Sequence, residues 1–182
     1  MNQRRPVVLG ISGSLRKPST NTRLLSFIGG MMPETVAFHM HDDLAALPHF
    51  NPDLDLDHVQ EDEAVHTWRA QLKAADAIII CTPEYARGVP GSLKNALDWV
   101  VSSGEFVGMP TAIISASPHP DGGAIALHSL TLTLKMMSAV IPDEASLSIP
   151  FASKIVGADG LVTDPGTLSL LNNLVCALNQ AI

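Results

Sequence analysis

The sequence predicts an α/β fold, a doubly wound three-layer α/β/α sandwich around a five-stranded parallel sheet of order 2-1-3-4-5. Three observations predict it. Short apolar or β-branched runs recur along the 182 residues, stretches with helical spacing separate them, and loops dense in glycine and hydroxyl side chains follow the first, third and fourth runs but not the second. Hydrophobic residues make up 46% of the chain and charged residues 16%, enough apolar material for one core without disulfides or metals, so residues 1–182 read as one domain.

The first strand is Val7 to Ile11, apolar on both faces as a central parallel strand requires. Leu24, Leu25, Ile28 and Met31 mark the inner face of the first helix. Thr35 to Met40 is more mixed and reads as an edge strand, and the second helix opens in the acidic run from Asp57 through Glu63, where carboxylates favour the positive helix end. Ala77 to Cys81 is the third strand, followed by a helix carried by Leu93, Ala96, Leu97, Val100 and Val101. Thr111 to Ser115 and Ala145 to Ile149 complete the sheet, with Leu127, Leu130, Leu134 and Met137 on the helix between them. The last helix carries Leu168, Leu171, Leu174, Val175 and Leu178 and is entered through Thr163-Asp164-Pro165, a cap followed by a first-turn proline.

Eleven Lys and Arg against eighteen Asp and Glu give a net charge of −7, and there is no basic run. Attraction to nucleic acid or an anionic membrane is thereby excluded as a general property, and any phosphate must be held by a local device. Arg4-Arg5 precede an apolar run that breaks at Ser12-Gly13-Ser14, too short for a signal core, and the longest clean apolar run, Ala77 to Cys81, is strand-sized. Cys81 and Cys176 are far apart without a C-x-x-C partner and read as reduced thiols of a cytoplasmic protein. His39 and His41, beside Asp42 and Asp43, lack an evident third ligand, so no metal site is expected.

In a 2-1-3-4-5 sheet ligands bind beyond the carboxyl ends of the strands, at the switch point between strands one and three. After strand one comes Gly10-Ile11-Ser12-Gly13-Ser14-Leu15-Arg16-Lys17-Pro18-Ser19-Thr20-Asn21-Thr22. Its hydroxyls, the N–H groups of the helix start and Arg16 suit a phosphate; the competing reading is a solvated loop that caps its own helix through Ser19 or Thr20. Neither G-x-G-x-x-G nor G-x-x-x-x-G-K-[ST] is present, which favours a single terminal phosphate over a pyrophosphate or a nucleoside triphosphate. After strand three, two prolines and two glycines between Pro83 and Gly91 fix an unusual path that can present N–H and C=O groups to a flat polar ring. Tyr85, the one tyrosine, either meets that ligand or is a turn residue on the sheet edge, while Lys94 and Asp98 read as an exposed i, i+4 pair. Ser115 to Ala124, after strand four, forms a third wall.

The motif Gly10-Ile11-Ser12-Gly13-Ser14-Leu15-Arg16 with Asn21, together with Pro83-Glu84-Tyr85 continuing into Val89-Pro90-Gly91-Ser92-Leu93-Lys94-Asn95-Ala96-Leu97-Asp98-Trp99, resembles the NADPH-dependent FMN reductase family, the flavodoxin-like quinone, azo and chromate reductases. The resemblance implies a flavodoxin-like fold holding FMN non-covalently, and a homodimer or homotetramer in which the helix from Ser92 to Val101 and that around Leu127 to Met137 form a two-fold interface. It implies that Ser12, Ser14, Arg16, Ser19 and Asn21, with Leu15 and Thr20 beside them, contact the FMN phosphate and ribityl chain. Pro83, Glu84 and Tyr85 fall at the isoalloxazine edge, and Ser117, Gly122 and Gly123 in the third flavin-contacting loop. Ala86-Arg87-Gly88 departs from the family pattern, which commonly has Asn after the tyrosine; Arg87 there is a candidate for the nicotinamide phosphates or the acceptor.

The expected activity is hydride transfer from NADPH or NADH to bound FMN, then electron transfer to a quinone or another small acceptor such as free flavin, an azo compound or chromate. The flavin carries that chemistry, so no side chain is expected to be catalytic. The competing function is an FMN-binding electron carrier or sensor that does not react with nicotinamide.

Overall fold

Val7–Ser12 (β1), Ala37–His41 (β2), Ala77–Thr82 (β3), Thr111–Ala116 (β4) and Ser146–Ile149 (β5) form one parallel sheet in the order β2-β1-β3-β4-β5. This computed structural model describes residues 4–41, 43–56 and 60–182. β1, β3 and β4 are almost wholly buried, which is why their runs are apolar on both faces; β2 at the edge keeps polar positions. The register brings the strand ends together. Ser12 lies opposite Cys81, Thr82 opposite Ser115 and Ala116 opposite Ile149, so the strands end level and their exit loops leave from one edge.

Among the described residues six α-helices surround the sheet: Thr20–Gly30 (α1), Glu63–Ala74 (α2), Gly91–Asp98 (α3), Ala124–Met136 (α4), Ala152–Ile155 (α5) and Pro165–Gln180 (α6). α1 and α6 cover one face, with Leu24, Ile28, Leu171 and Leu174 packed on Val8, Ile79 and Ile114. α2, α3 and α4 cover the other, where Trp68, Leu72, Leu97 and Leu130 pack on Leu9, Ile78, Ile80 and Ile113. Each face is a separate continuous apolar layer.

Several expected boundaries move for identifiable reasons. Val36 donates its N–H to the Pro33 carbonyl in a turn, so β2 begins at Ala37 rather than Thr35. Asp143–Ala145 forms a 3₁₀ turn, which leaves Ser146 as the first residue of β5. Asp62 caps α2 by accepting from the Ala64 N–H, so that helix starts at Glu63; residues 57–59 of the expected acidic start lie outside the described residues. α3 ends at Asp98, with Trp99 as its C-cap, short of the expected Val101. The entry to α6 is as expected: Asp164 accepts from the N–H and hydroxyl of Thr167, each at 2.7 Å, bonds that hold its carboxyl below its ordinary value. α5, a single turn after β5, was not expected.

Candidate cofactor-binding site

A cavity of about 350 Å³ opens where the loops after β1, β3, β4 and β5 converge. Its volume falls within the ordinary range for small-ligand sites.

The first wall is the loop after β1 and the start of α1. Gly13 donates its N–H to the Cys81 carbonyl at 2.8 Å and sits so close to β3 that a Cβ there would lie 2.5 Å from Thr82 Oγ1. Ser12 Oγ shares a hydrogen bond with Thr22 Oγ1 at 2.8 Å and accepts from the Ser14 N–H at 3.3 Å. Ser19, 3% exposed, caps α1 by accepting from the Thr22 N–H, while its own O–H stays available. The N–H groups of Thr20 and Asn21 belong to the first helical turn, which has no intrahelical acceptors, and they point the positive helix end at the cavity. Arg16 lines the same end, and its guanidinium pairs with no carboxylate among the described residues. Loop capping and a free donor set coexist here.

The second wall is Pro83, Glu84 and Tyr85. Glu84 Oε2 accepts from the N–H groups of Ile125 at 3.1 Å and Ala126 at 3.0 Å, so its carboxylate caps α4 and only the rest of the residue faces the cavity. Tyr85 and Gly88 exchange main-chain hydrogen bonds of 2.9 and 3.0 Å around Ala86 and Arg87, whose φ values are +50° and +59°. This is a two-residue turn of the type that asparagine and glycine normally occupy, at a cost of about 1 to 2 kcal/mol for each ordinary residue.

The third wall runs from Ala116 to His119, joined by Ala152 and Ser153 of α5. Ala152 donates to the Ser117 carbonyl at 2.9 Å and Phe151 to that of His119 at 3.3 Å, which fastens the loop after β5 onto the loop after β4. Gly122 and Gly123 adopt φ of +62° and +78°. A Cβ on Gly123 would come within 2.2 Å of Ser115 Oγ, so that glycine lets the chain cross directly over the end of β4.

Of the expected contacts, Ser14, Arg16, Ser19, Thr20, Asn21, Pro83, Glu84, Tyr85 and Ser117 line one cavity. Ser12 and Leu15 line a neighbouring hollow instead. The turn at Ala86, Arg87 and Gly88 lies outside the lining, and Gly122 and Gly123 shape the loop beneath it. Asn21 also has a second role, since its Nδ2 donates to the Ala116 carbonyl at 3.2 Å and its Oδ1 accepts from Cys81 Sγ at 3.4 Å, bracing the tips of β3 and β4. Ala116, Pro118 and His119 lie in the expected third wall without having been singled out, and sequence reasoning missed Ala152 and Ser153. For the last two the available signal was Pro150-Phe151-Ala152-Ser153 following the fifth strand at the same sheet edge.

The remaining candidates resolve simply. Burial pushes the Cys81 thiol far up, leaving it inert, and Cys176 is an exposed free thiol. Among the described residues no three His, Cys, Asp or Glu side chains cluster as a metal site; Asp42 lies outside them, and of the two neighbouring histidines His39 is exposed and His41 buried. Lys94 and Asp98 form the expected exposed pair at 2.5 Å. No helix among the described residues is long and apolar enough to cross a membrane.

The donor set suits FMN. One end of the cavity offers hydroxyls, helix N–H groups and a cation to a phosphate, while the other lies between two loops whose one nearby carboxylate is already engaged on α4.

Residues 6–154 match the family model for NADPH-dependent FMN reductase. An NAD(P)H-dependent FMN reductase of Pseudomonas aeruginosa is 34% identical over 173 residues, 94% of this chain and 92% of that one. A 2-hydroxy-1,4-benzoquinone reductase of a Burkholderia species is 32% identical over 168 residues, 91% and 90% of the two chains. Among solved structures, the flavoenzyme NAD(P)H:(acceptor) oxidoreductase FerB of Paracoccus denitrificans superposes with a TM-score of 0.84 at 32% identity, covering 96% of each chain.

Proposed function

The chain belongs to the NADPH-dependent FMN reductase family, and we propose that it is an NAD(P)H-dependent FMN oxidoreductase whose acceptor is a quinone or a similar small oxidant. The observation that carries this reading is a single cavity with open phosphate donors at one end and the Pro83–Tyr85 and Ala116–His119 loops at the other. When bound, FMN would supply the redox chemistry, namely acceptance of a hydride and donation of electrons, which no side chain here provides.

The protein's own part is binding and orientation. Ser14, Ser19, Thr20, Arg16 and the first N–H groups of α1 hold the phosphate, in a positive field that needs no bulk cation. Pro83, Glu84, Tyr85 and Ser117 would set the position of the ring. The Ile125 and Ala126 N–H groups keep the Glu84 carboxylate turned onto α4, which spares the electron-rich reduced ring a repulsive neighbour. In this reading no side chain transfers a proton to the substrate or bonds to it covalently, and none is catalytic.

The assembly is read as a homodimer or homotetramer. Leu132 and Met136 on α4, with Val101 and Val107 after α3, are exposed apolar side chains, which supports the expected two-fold interface. Light scattering at micromolar concentration tests it, a single 19.3 kDa species being the contrary result. The free thiols support the cytoplasmic reading.

The activity is tested by an anaerobic visible spectrum of the FMN-loaded protein before and after stoichiometric NADPH. Loss of the flavin band near about 450 nm supports the reductase. Bound flavin that stays yellow with both NADPH and NADH points to a carrier or sensor.

A further inference from the structure

Arg23 lies near the start of α1, a few residues beyond Thr20, and lines no part of the cofactor cavity. Its guanidinium folds back onto the chain that enters the helix. Nη1 donates to the Pro18 carbonyl and Nη2 to Thr20 Oγ1, each at 3.4 Å. The stem is backed by the turn after α5, where Gly157 donates its N–H to the Leu161 carbonyl at 2.9 Å and a Cβ on Gly160 would lie 3.6 Å from Arg23 Cβ. The side chain is thus seated between that turn and the last residues of the phosphate loop.

Folding alone rewards this placement poorly. Arg23 pairs with no carboxylate among the described residues, and its Nε is covered and meets no acceptor. The carboxylate of the backing turn, Asp159, is engaged by the Leu161 N–H at 3.0 Å. No acidic residue stands in the first turn of α1, and none precedes Glu34 in the chain. A cation at the positive end of a helix is repelled by the helix dipole, and an anion bound at that end reverses the balance.

The bond to Thr20 shows what the cation can do. A guanidinium only donates, so Thr20 Oγ1 meets it with a lone pair and its own hydrogen must point elsewhere. That hydroxyl has no other partner among the described residues, and Thr20 lines the cavity at its phosphate end. A hydroxyl that accepts from a charged group is also the stronger donor.

We propose that Arg23 is a positioning residue for the cofactor phosphate. By donating to Thr20 Oγ1 it turns the Thr20 hydroxyl hydrogen toward the cavity, and its charge adds to the positive field of the helix start. The role rests on the reading of the cavity as an FMN site and extends it to a residue behind the lining.

The test uses the full chain freed of flavin, with Arg23→Met, Thr20→Val and the double variant, each titrated with FMN and with riboflavin by flavin fluorescence. Methionine keeps a stem against Gly160 and removes every donor, and valine keeps the shape of threonine without its hydroxyl. Riboflavin has the ring and the ribityl chain but no phosphate, so only a role directed at the phosphate changes the ratio of the two affinities. Expected is an FMN-over-riboflavin preference about three- to tenfold lower in each single variant, with riboflavin affinity unmoved. The double variant should lose less than the product of the two single losses, because both remove the same donated hydrogen bond. A preference that Arg23→Met leaves intact overturns the role, and so does equal weakening of both flavins, which marks a merely structural residue. Losses that multiply independently overturn the action through Thr20. A parent chain that binds riboflavin as tightly as FMN overturns the phosphate end of the cavity itself and the role of Arg23 with it.

Discussion

Arg16 and Arg69 are the same residue put to opposite uses. Arg69, on α2, has a side chain only 14% exposed and donates to Asp55 at 2.6 Å, to Glu61 at 2.5 Å and to the Trp99 carbonyl, so it fastens the segment before α2 to the end of α3. Arg16 stands in the loop after β1 with no carboxylate partner among the described residues, beside helix N–H groups that are also open. A guanidinium whose donors are all used inside the chain stiffens the scaffold. One left open next to other open donors is available to a ligand.

If that contrast holds, substitutions at the two positions dissociate stability from binding. Arg69→Ala removes a largely buried cation and strands Asp55 and the Trp99 carbonyl, which should cost about 3 kcal/mol in a urea unfolding series while the folded protein keeps its FMN affinity. Loss of FMN affinity without loss of stability would break the contrast. Asp55→Asn sharpens it through pH. Burial alone would raise the Asp55 carboxyl, but hydrogen bonds from Arg69 and Ser102 and the attraction of the guanidinium outweigh that and hold it below its ordinary value. A carboxyl depressed by folding stabilises the native state above its unfolded pKa, about 3.9, and loses that contribution as pH falls through its lower native value. The variant should therefore be less stable than the parent by about 2 kcal/mol at neutral pH, and the two urea midpoints should converge below about pH 4.

On the other side of the comparison, Arg16→Ala should weaken FMN binding about ten- to hundredfold in a fluorescence titration, with the urea midpoint unmoved. Unchanged affinity would remove Arg16 from the phosphate. The smallest effect concerns the second wall. Ala86→Gly replaces a left-handed alanine, so relief of strain should outweigh the added chain entropy and raise stability by up to about 1 kcal/mol, with FMN retained. A loss of stability there would mean that the turn is not strained as its φ angles imply.

Much of this was legible in the sequence because it depends on local pattern. The buried runs at Val7, Ala77 and Thr111 are strands since only a doubly covered strand is apolar on both faces, and the hydroxyl-rich loop at residues 12–22 announces both its helix cap and its donors. Arg16 was legible for the same reason. The rest depends on neighbours distant in the chain. That the Glu84 carboxylate belongs to α4 requires Ile125 and Ala126 to arrive beside it, and Asn21 braces β4 only once Ala116 is in place. The left-handed turn at Ala86 and Arg87 runs against the local preference of both residues, so no reading of those residues alone could find it. Ala152 and Ser153 reach the cavity through a main-chain bond from Ala152 to Ser117, which their place after the fifth strand allows but their residue types do not specify.

That contact has a consequence for how the protein is made. The lining begins at Ser14 and is closed by Ser153, so a chain emerging from the ribosome can order its phosphate loop early yet lacks one side of the cavity until β5 and α5 have been synthesised and docked. If this cavity takes the flavin, its capture should fall in the late part of synthesis, and a truncated product ending before Phe151 should leave the flavin for finished molecules.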